Sequence, residues 1–187
     1  MRKFLTLDCE TGGLSSETSL LTAYFGIMNE NYKLIDELYL KLVPDDGIYK
    51  VTASGLYVNK IDLTKLQGIP YKQGGTLLYN FLDKHRIENK LTPVGQNIQF
   101  DIERVTQDLL SKGSWENYVS RRVLDTMVIA KFLQSLDKIP NELSISLTSL
   151  TEYLNIEIPT GEAHEARYDA LCTVRVLQKM QELARTY

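Results

Sequence analysis

The chain has 187 residues, 43% apolar and 24% charged, a balance that predicts one folded domain spanning residues 1–187. Twenty-one basic against 24 acidic residues leave a net charge of −3. That excludes a protein that coats nucleic acid through bulk positive charge, but not an enzyme that holds a few nucleotides at a metal site. No apolar run approaches the ~18 residues of a membrane span, no secretory signal is read at the start, and two cysteines, Cys9 and Cys172, point to a reducing, cytoplasmic setting.

In chain order, residues 3–10 predict a strand covered on both faces, because apolar residues fill both sides of its first half. Alternation then puts Asp8 and Glu10 on one face, and Leu7 and Cys9 on the other. Thr11-Gly12-Gly13 ends it. Residues 21–28 and 34–43 are β-rich and joined around Asn29-Glu30-Asn31, which predicts an antiparallel hairpin and hence a three-strand meander. A short helix is expected at 53–59 and a longer one at 76–86, with Gly74-Gly75 read as a turn. Residues 91–95 predict a short strand, 100–112 a helix stopping at Gly113, and 122–124 a last strand. Asp125 caps a helix over 126–134, residues 144–154 are helical, and a final helix runs over 165–184. Strands first, then alternating helix and strand, imply an α/β fold with a mixed sheet.

Three segments carry candidate chemistry. Asp8 and Glu10, at i and i+2 on one face of a strand, have Cα atoms roughly 6.5–7 Å apart, close enough to share one hard cation or an adjacent pair. The same spacing recurs at Asp101-Ile-Glu103, so the pattern alone carries little. Its context is an interior strand ending in Thr-Gly-Gly, where a ligand could approach the backbone. Asp101 lies in the first turn of a helix, where a carboxylate can equally be a helix-dipole partner. In Gly161-Glu-Ala-His164-Glu-Ala-Arg-Tyr-Asp169, five residues of continuous helix would turn His164 and Asp169 some 140° apart. They converge if His164 precedes the helix, and Ala166 and Ala170 let that helix approach the sheet. Together Asp8, Glu10, Asp101 and Asp169 would offset two divalent cations, and His164 would take a proton near neutral pH, the set that phosphodiester hydrolysis requires.

At these residues the chain resembles the DEDDh-type (DnaQ-like) 3′–5′ exonucleases of the ribonuclease H-like superfamily. The first motif is seen as Asp8-Cys-Glu10-Thr11-Gly12-Gly13-Leu14, the second as Gly95-Gln-Asn97-Ile-Gln-Phe100-Asp101, and the third as His164-Glu-Ala166-Arg-Tyr-Asp169-Ala170. The resemblance spans essentially the whole chain; Gln96 stands where many relatives have histidine. It implies a ribonuclease H-like fold with a five-stranded sheet, three strands antiparallel and two parallel, and helices on both faces. It further implies that Asp8, Glu10 and Asp169 hold a first cation, that Asp8 and Asp101 serve a second (Mg²⁺ or Mn²⁺), and that His164 is the general base. Thr11, Gly12, Leu14, Asn97 and Phe100 are the implied substrate contacts: backbone groups at Thr11 and Gly12 hold the 3′-terminal nucleotide, Leu14 wedges against its base, and Phe100 packs on base or sugar. Core packing is the alternative for Leu14 and Phe100. The implied activity is stepwise removal of 5′-monophosphates from single-stranded DNA or RNA. A proofreading or processing subunit docked on a polymerase or similar machine, a homodimer, and a phosphodiesterase of small nucleotides with a closed pocket are the alternatives, in a bacterial or phage-encoded protein. Lys84-His85-Arg86, Arg121-Arg122 and the tyrosines Tyr57, Tyr71, Tyr118 and Tyr168 are read as solvated charge and half-buried aromatics.

Overall fold

The computed structural model describes residues 2–156 and 165–185. Strands β1 (Phe4–Thr11), β2 (Leu20–Met28) and β3 (Leu34–Val43) form the expected meander, in antiparallel register from Phe4↔Met28 to Glu10↔Thr22. The β2–β3 turn is held by Asn29, whose Oδ1 accepts the N–H groups of Asn31 and Lys33, a local bond that favours Asn in turns. On the other side of β1 lie β5 (Thr92–Gly95) and β6 (Leu124–Asp125), both parallel. At the opposite edge a two-residue β4 (Ile69–Pro70) runs parallel to β3. Among the described residues the sheet therefore has six strands in the order β4-β3-β2-β1-β5-β6, one more than expected. The extra strand is too short to show alternation, and its Pro70 suits only an edge.

Strand alternation distributes β1 between two layers. Leu5, Leu7 and Cys9 face α2 (Tyr71–Lys84), α3 (Ile98–Asp108) and α4 (Lys112–Tyr118), packing with Phe25, Leu82, Val105 and Trp115 in the main core. Phe4 and Thr6 face α7 (Ala166–Arg185): Phe4 shares a cluster with Val174 and Leu177, and Thr6 Oγ1 donates to the Ala170 carbonyl at 3.1 Å. Ala166 and Ala170 are fully buried against Tyr24, so the small residues do bring α7 onto the sheet. Helices α5 (Thr126–Ser135) and α6 (Leu147–Tyr153) cover the outer side of α7 through Leu133, Leu150 and Met180. No helix among the described residues is long and apolar enough to cross a membrane.

Two glycine readings are corrected. Gly74 and Gly75 lie inside α2, which begins at Tyr71 rather than at residue 76. They are small because the helix is pressed against its neighbours: a Cβ on Gly75 would lie 2.1 Å from the Leu109 carbonyl oxygen. The helix expected over 100–112 is two. α3 ends at Asp108, Ser111 Oγ accepts the Ser114 N–H at 3.3 Å and starts α4, and Gly113 sits within α4. The predicted helix at 53–59 is α1 (Ala53–Asn59), capped by Thr52.

Candidate active site

The site forms where β5 stops. β5 pairs with β1 only from Phe4 to Thr6, so beyond Leu7 that edge of β1 is open to the start of α3. There Asp101 is buried, 4% exposed. From the other face α7 brings Asp169, in its first turn, over the half-buried Asp8 and Glu10. One carboxylate oxygen from each of Asp8, Glu10 and Asp169 lies within 4.8 Å of the others. Asp169, distant in sequence, thus joins Asp8 and Glu10 as expected. Asp101 stands outside that tight trio, but its charge reaches both β1 carboxylates.

Crowding acids in a desolvated place disfavours their ionised forms. Burial, then the charges of Asp101, Glu10 and Asp169, push Asp8 well above the usual carboxylate range. Burial, then Asp169 and Asp101, push Glu10 up to about 8. Asp101 is also pushed up to about 8, by burial first, with hydrogen bonding from Cys9 opposing and Asp125 adding to the rise. Oxygen-only donors with excess negative charge fit a hard divalent cation such as Mg²⁺ or Mn²⁺. Cys9 is buried on the opposite face of β1, as alternation requires, but its thiol is hydrogen-bonded to Asp101 and so does not point away from the carboxylates.

The surrounding loop is built with equal care. Gly12 donates its N–H to the Ser19 carbonyl at 2.8 Å, and its carbonyl accepts the Thr52 N–H at 2.7 Å. Helix α1 presses so closely here that a Cβ on Gly55 would lie 2.3 Å from the Gly12 oxygen. Asn59, 5% exposed, donates Nδ2 to the Thr11 carbonyl at 2.8 Å, and Thr11 Oγ1 donates to the Gly13 carbonyl. Both polar backbone groups of Gly12 and the Thr11 carbonyl are therefore already bonded within the chain. Leu14 is 90% exposed, which removes the core-packing alternative for it; Phe100 is half-buried.

Asn97 is exposed and adopts a left-handed backbone (φ 54°) at the start of α3. Asp125 caps α5 as expected, accepting the Met127 N–H at 2.8 Å, and also accepts the N–H groups of Asn97 and Ile98 at 3.2 and 3.0 Å. Gln96 is structural, donating to the Ile145 carbonyl at 2.8 Å. His164 lies outside the described residues. Of the tyrosines, Tyr71 donates to the Leu20 carbonyl and Tyr118 to Asp83, both structural roles; Tyr57 is exposed.

Sequence reasoning missed two anchors. Arg104, 2% exposed, donates to the Ser16 carbonyl at 2.6 Å, to the Thr18 carbonyl, and to Asp108 at 3.0 Å. It ties the Leu14 loop to the helix that carries Asp101, and Gln107 adds a bond to Ser16 at 2.8 Å. Its only sequence signal is the Arg104/Asp108 pair at i and i+4. Arg167, two residues before Asp169, grips Glu37 of β3 through Nε at 2.9 Å and a second guanidinium nitrogen at 3.2 Å, and Tyr24 donates to the same carboxylate at 2.8 Å. This bidentate pair fixes the first turn of α7 to the sheet.

No protein-family model matches the chain, and no curated protein matches its sequence. Solved structures do match. Exonuclease I from E. coli, in complex with a dT13 oligonucleotide, superposes with a TM-score of 0.73 at 16% identity over 97% of this chain and 41% of that one. A zinc-bound form of the E. coli exonuclease I complex with single-stranded DNA gives 0.78 at 18% identity over 99% of this chain and 41% of that one. Exonuclease I from the moderately thermophilic Methylocaldum szegediense gives 0.77 at 16% identity over 97% of this chain and 41% of that one. The chain spans about two fifths of the length of these structures. The fold is the ribonuclease H-like α/β fold of that region, as the sequence predicts.

Proposed function

We propose that the chain is a DEDDh-type exonuclease that removes nucleotides one at a time from the 3′ ends of single strands. The observation that carries this reading is the convergence of Asp8, Glu10 and Asp169 within 4.8 Å, at the end of a central strand where they repel one another. Acids held together against their own charge, with a fourth buried nearby, fit a site completed by divalent cations. The likeness to exonuclease I, whose structures contain bound single-stranded DNA, supports the same assignment.

In this reading Asp8, Glu10 and Asp169 would hold one cation, and Asp8 with Asp101 would serve a second; once bound, the cations would supply Lewis acidity at the attacked phosphate. His164 takes the proton from the attacking water. The water oxygen bonds to phosphorus as the bond to the 3′ oxygen of the preceding nucleotide breaks; that oxygen takes up a proton to become the new 3′-hydroxyl, and the 5′-monophosphate leaves. Arg167 and Glu37 keep Asp169 in register with β1. The exposed Leu14, on a loop that Arg104 holds, wedges against the terminal base; Phe100 packs beside it, and Thr11, Gly12 and Asn97 line the approach. Because Leu14 stands free in solvent, an open path for a strand is favoured over a closed pocket for small nucleotides.

The test is a gel time course with 5′-labelled single-stranded DNA and RNA of matched sequence, with Mg²⁺, Mn²⁺ or chelator. The expected result is a ladder shortening from the 3′ end, lost with chelator and with Asp8→Ala. Intact oligomers with every metal would overturn the assignment.

A further inference from the structure

A cleft of about 650 Å³ opens beside Glu10 on the β2–β3 side of the carboxylates, opposite the side from which α3 brings Asp101 and Phe100. Its walls carry Lys41, Lys60 and Lys65. Glu10, Asp62 and Glu165 line the same concavity, so its lysines balance its acids rather than outnumber them. Lys65 pairs with Asp62 at 3.1 Å, and Glu165 stands on the rim. Among the described residues Lys41 and Lys60 form no ion pair.

On its floor Thr22, 3% exposed, hydrogen-bonds through its side chain to the Tyr39 phenol. Lys60 is the C-cap of α1 with φ 55°, a left-handed position that glycine would occupy with less strain.

We propose that this cleft is a phosphate subsite, in which Lys41 and Lys60 bind a substrate phosphate other than the one being cleaved. The proposal rests on the nuclease reading. Two phosphates of the same chemistry could fill it: a terminal 3′-phosphate, or an internal phosphate of the strand. Lysine suits either, as a point charge with rotatable donors.

The test uses the full chain in EDTA, with fluorescence anisotropy of 5′-labelled oligonucleotides that end in 3′-hydroxyl or 3′-phosphate, at two lengths and several salt concentrations. Lys41→Gln and Lys60→Gly are compared with the parent; Lys60→Gly suits the left-handed backbone and keeps the fold, verified by thermal melting. Lys179→Gln, toward the far end of α7, controls for loss of one charge. The proposal expects each cleft variant to weaken binding about tenfold and to flatten the salt dependence by about one unit. Weakening confined to 3′-phosphate ends identifies the terminal phosphate; weakening of long strands with either end identifies an internal one. Affinities that match the parent, or that fall no further than with Lys179→Gln, overturn the subsite. The gel time course is run alongside on the parent. A parent that cuts strands while the cleft variants bind normally contradicts the subsite alone, whereas a parent that neither cuts nor binds overturns both readings.

Discussion

Asp36 on β3 receives Lys84 Nζ at 2.7 Å and His85 Nε2 at 2.8 Å, and these bonds hold its carboxyl down to about 2. Two strands away on β1, the charges acting on Asp8 and Glu10 belong to other carboxylates, and Glu10 is pushed up to about 8. Both groups are acids on strands of one sheet. The difference is that the chain supplies a counter-charge to the first, whereas it buries the second and surrounds it with like charge. A carboxylate the protein neutralises itself contributes to folding; carboxylates it crowds together oppose folding until something cationic arrives. His85, with its ring edge-on to Phe81 at 5.2 Å, belongs to the first kind of site.

The contrast can be sharpened by substitution, starting where the effect is largest. Asp8→Ala should reduce nuclease turnover by at least about a thousandfold, while the metal-free protein melts at a higher temperature than the parent because a repelled carboxylate is gone. Turnover is read on the oligonucleotide gel and melting by circular dichroism. His164→Ala should cost about 10²–10⁴-fold in kcat, with cation affinity retained. Rates equal to the parent would remove His164 from the chemistry.

Next in size is the pH dependence of the metal-free fold. Glu10 and Asp101 have folded-state pKa values raised to about 8, so the folded state binds more protons than the unfolded chain between roughly pH 4.5 and 8. Stability in chelator should therefore fall as pH rises through that window, by up to about 1.4 kcal/mol per pH unit for each such proton. Added Mg²⁺ should restore it most at the upper end. A melting temperature in chelator that stays level from pH 5 to 8 would contradict the crowding.

Arg104→Met removes the donor that holds the Leu14 loop. It should cost about 2–4 kcal/mol, since buried carbonyls and Asp108 lose their partner, and should raise KM for strands more than it lowers kcat. The smallest effect belongs to Asp36→Asn. It should lower stability at neutral pH by no more than about 1 kcal/mol, because the pair is partly exposed and screened, and leave turnover unchanged. The sign is opposite to that at Glu10. Asp36 has a depressed pKa, so its contribution is present above about pH 3.8 and is lost as pH falls toward 2; only the parent should lose stability through that window on this account.

Much of this arrangement is legible in the sequence, for identifiable reasons. The meander shows in three β-rich apolar runs and the Asn29 turn, and the carboxylates Asp8 and Glu10 share a face because strand geometry compels it. Asp125 reads correctly as a helix cap because that bond is local. Its second duty, holding the start of α3, depends on β5 and β6 lying side by side and has no local trace. Gly74-Gly75 reads as a turn because glycine serves both bends and close contacts, and only the neighbouring Leu109 decides between them. Arg104 is invisible for a related reason: its partners are backbone carbonyls 86 and 88 residues away, and any residue can provide a carbonyl. The lysine cleft gathers residues from β3 and from the segment after α1, so no run of charge announces it.

The central claim is that Asp8, Glu10 and Asp169 are gathered to hold cations, and titration calorimetry with Mn²⁺ at pH 8 and pH 6 tests it most directly. The account predicts saturable binding to the parent, tighter at pH 8 and accompanied by proton release because raised carboxyls must ionise, and loss of that binding with Asp8→Ala. Absence of Mn²⁺ binding to a folded parent at both pH values, or binding that Asp8→Ala leaves intact, would contradict it.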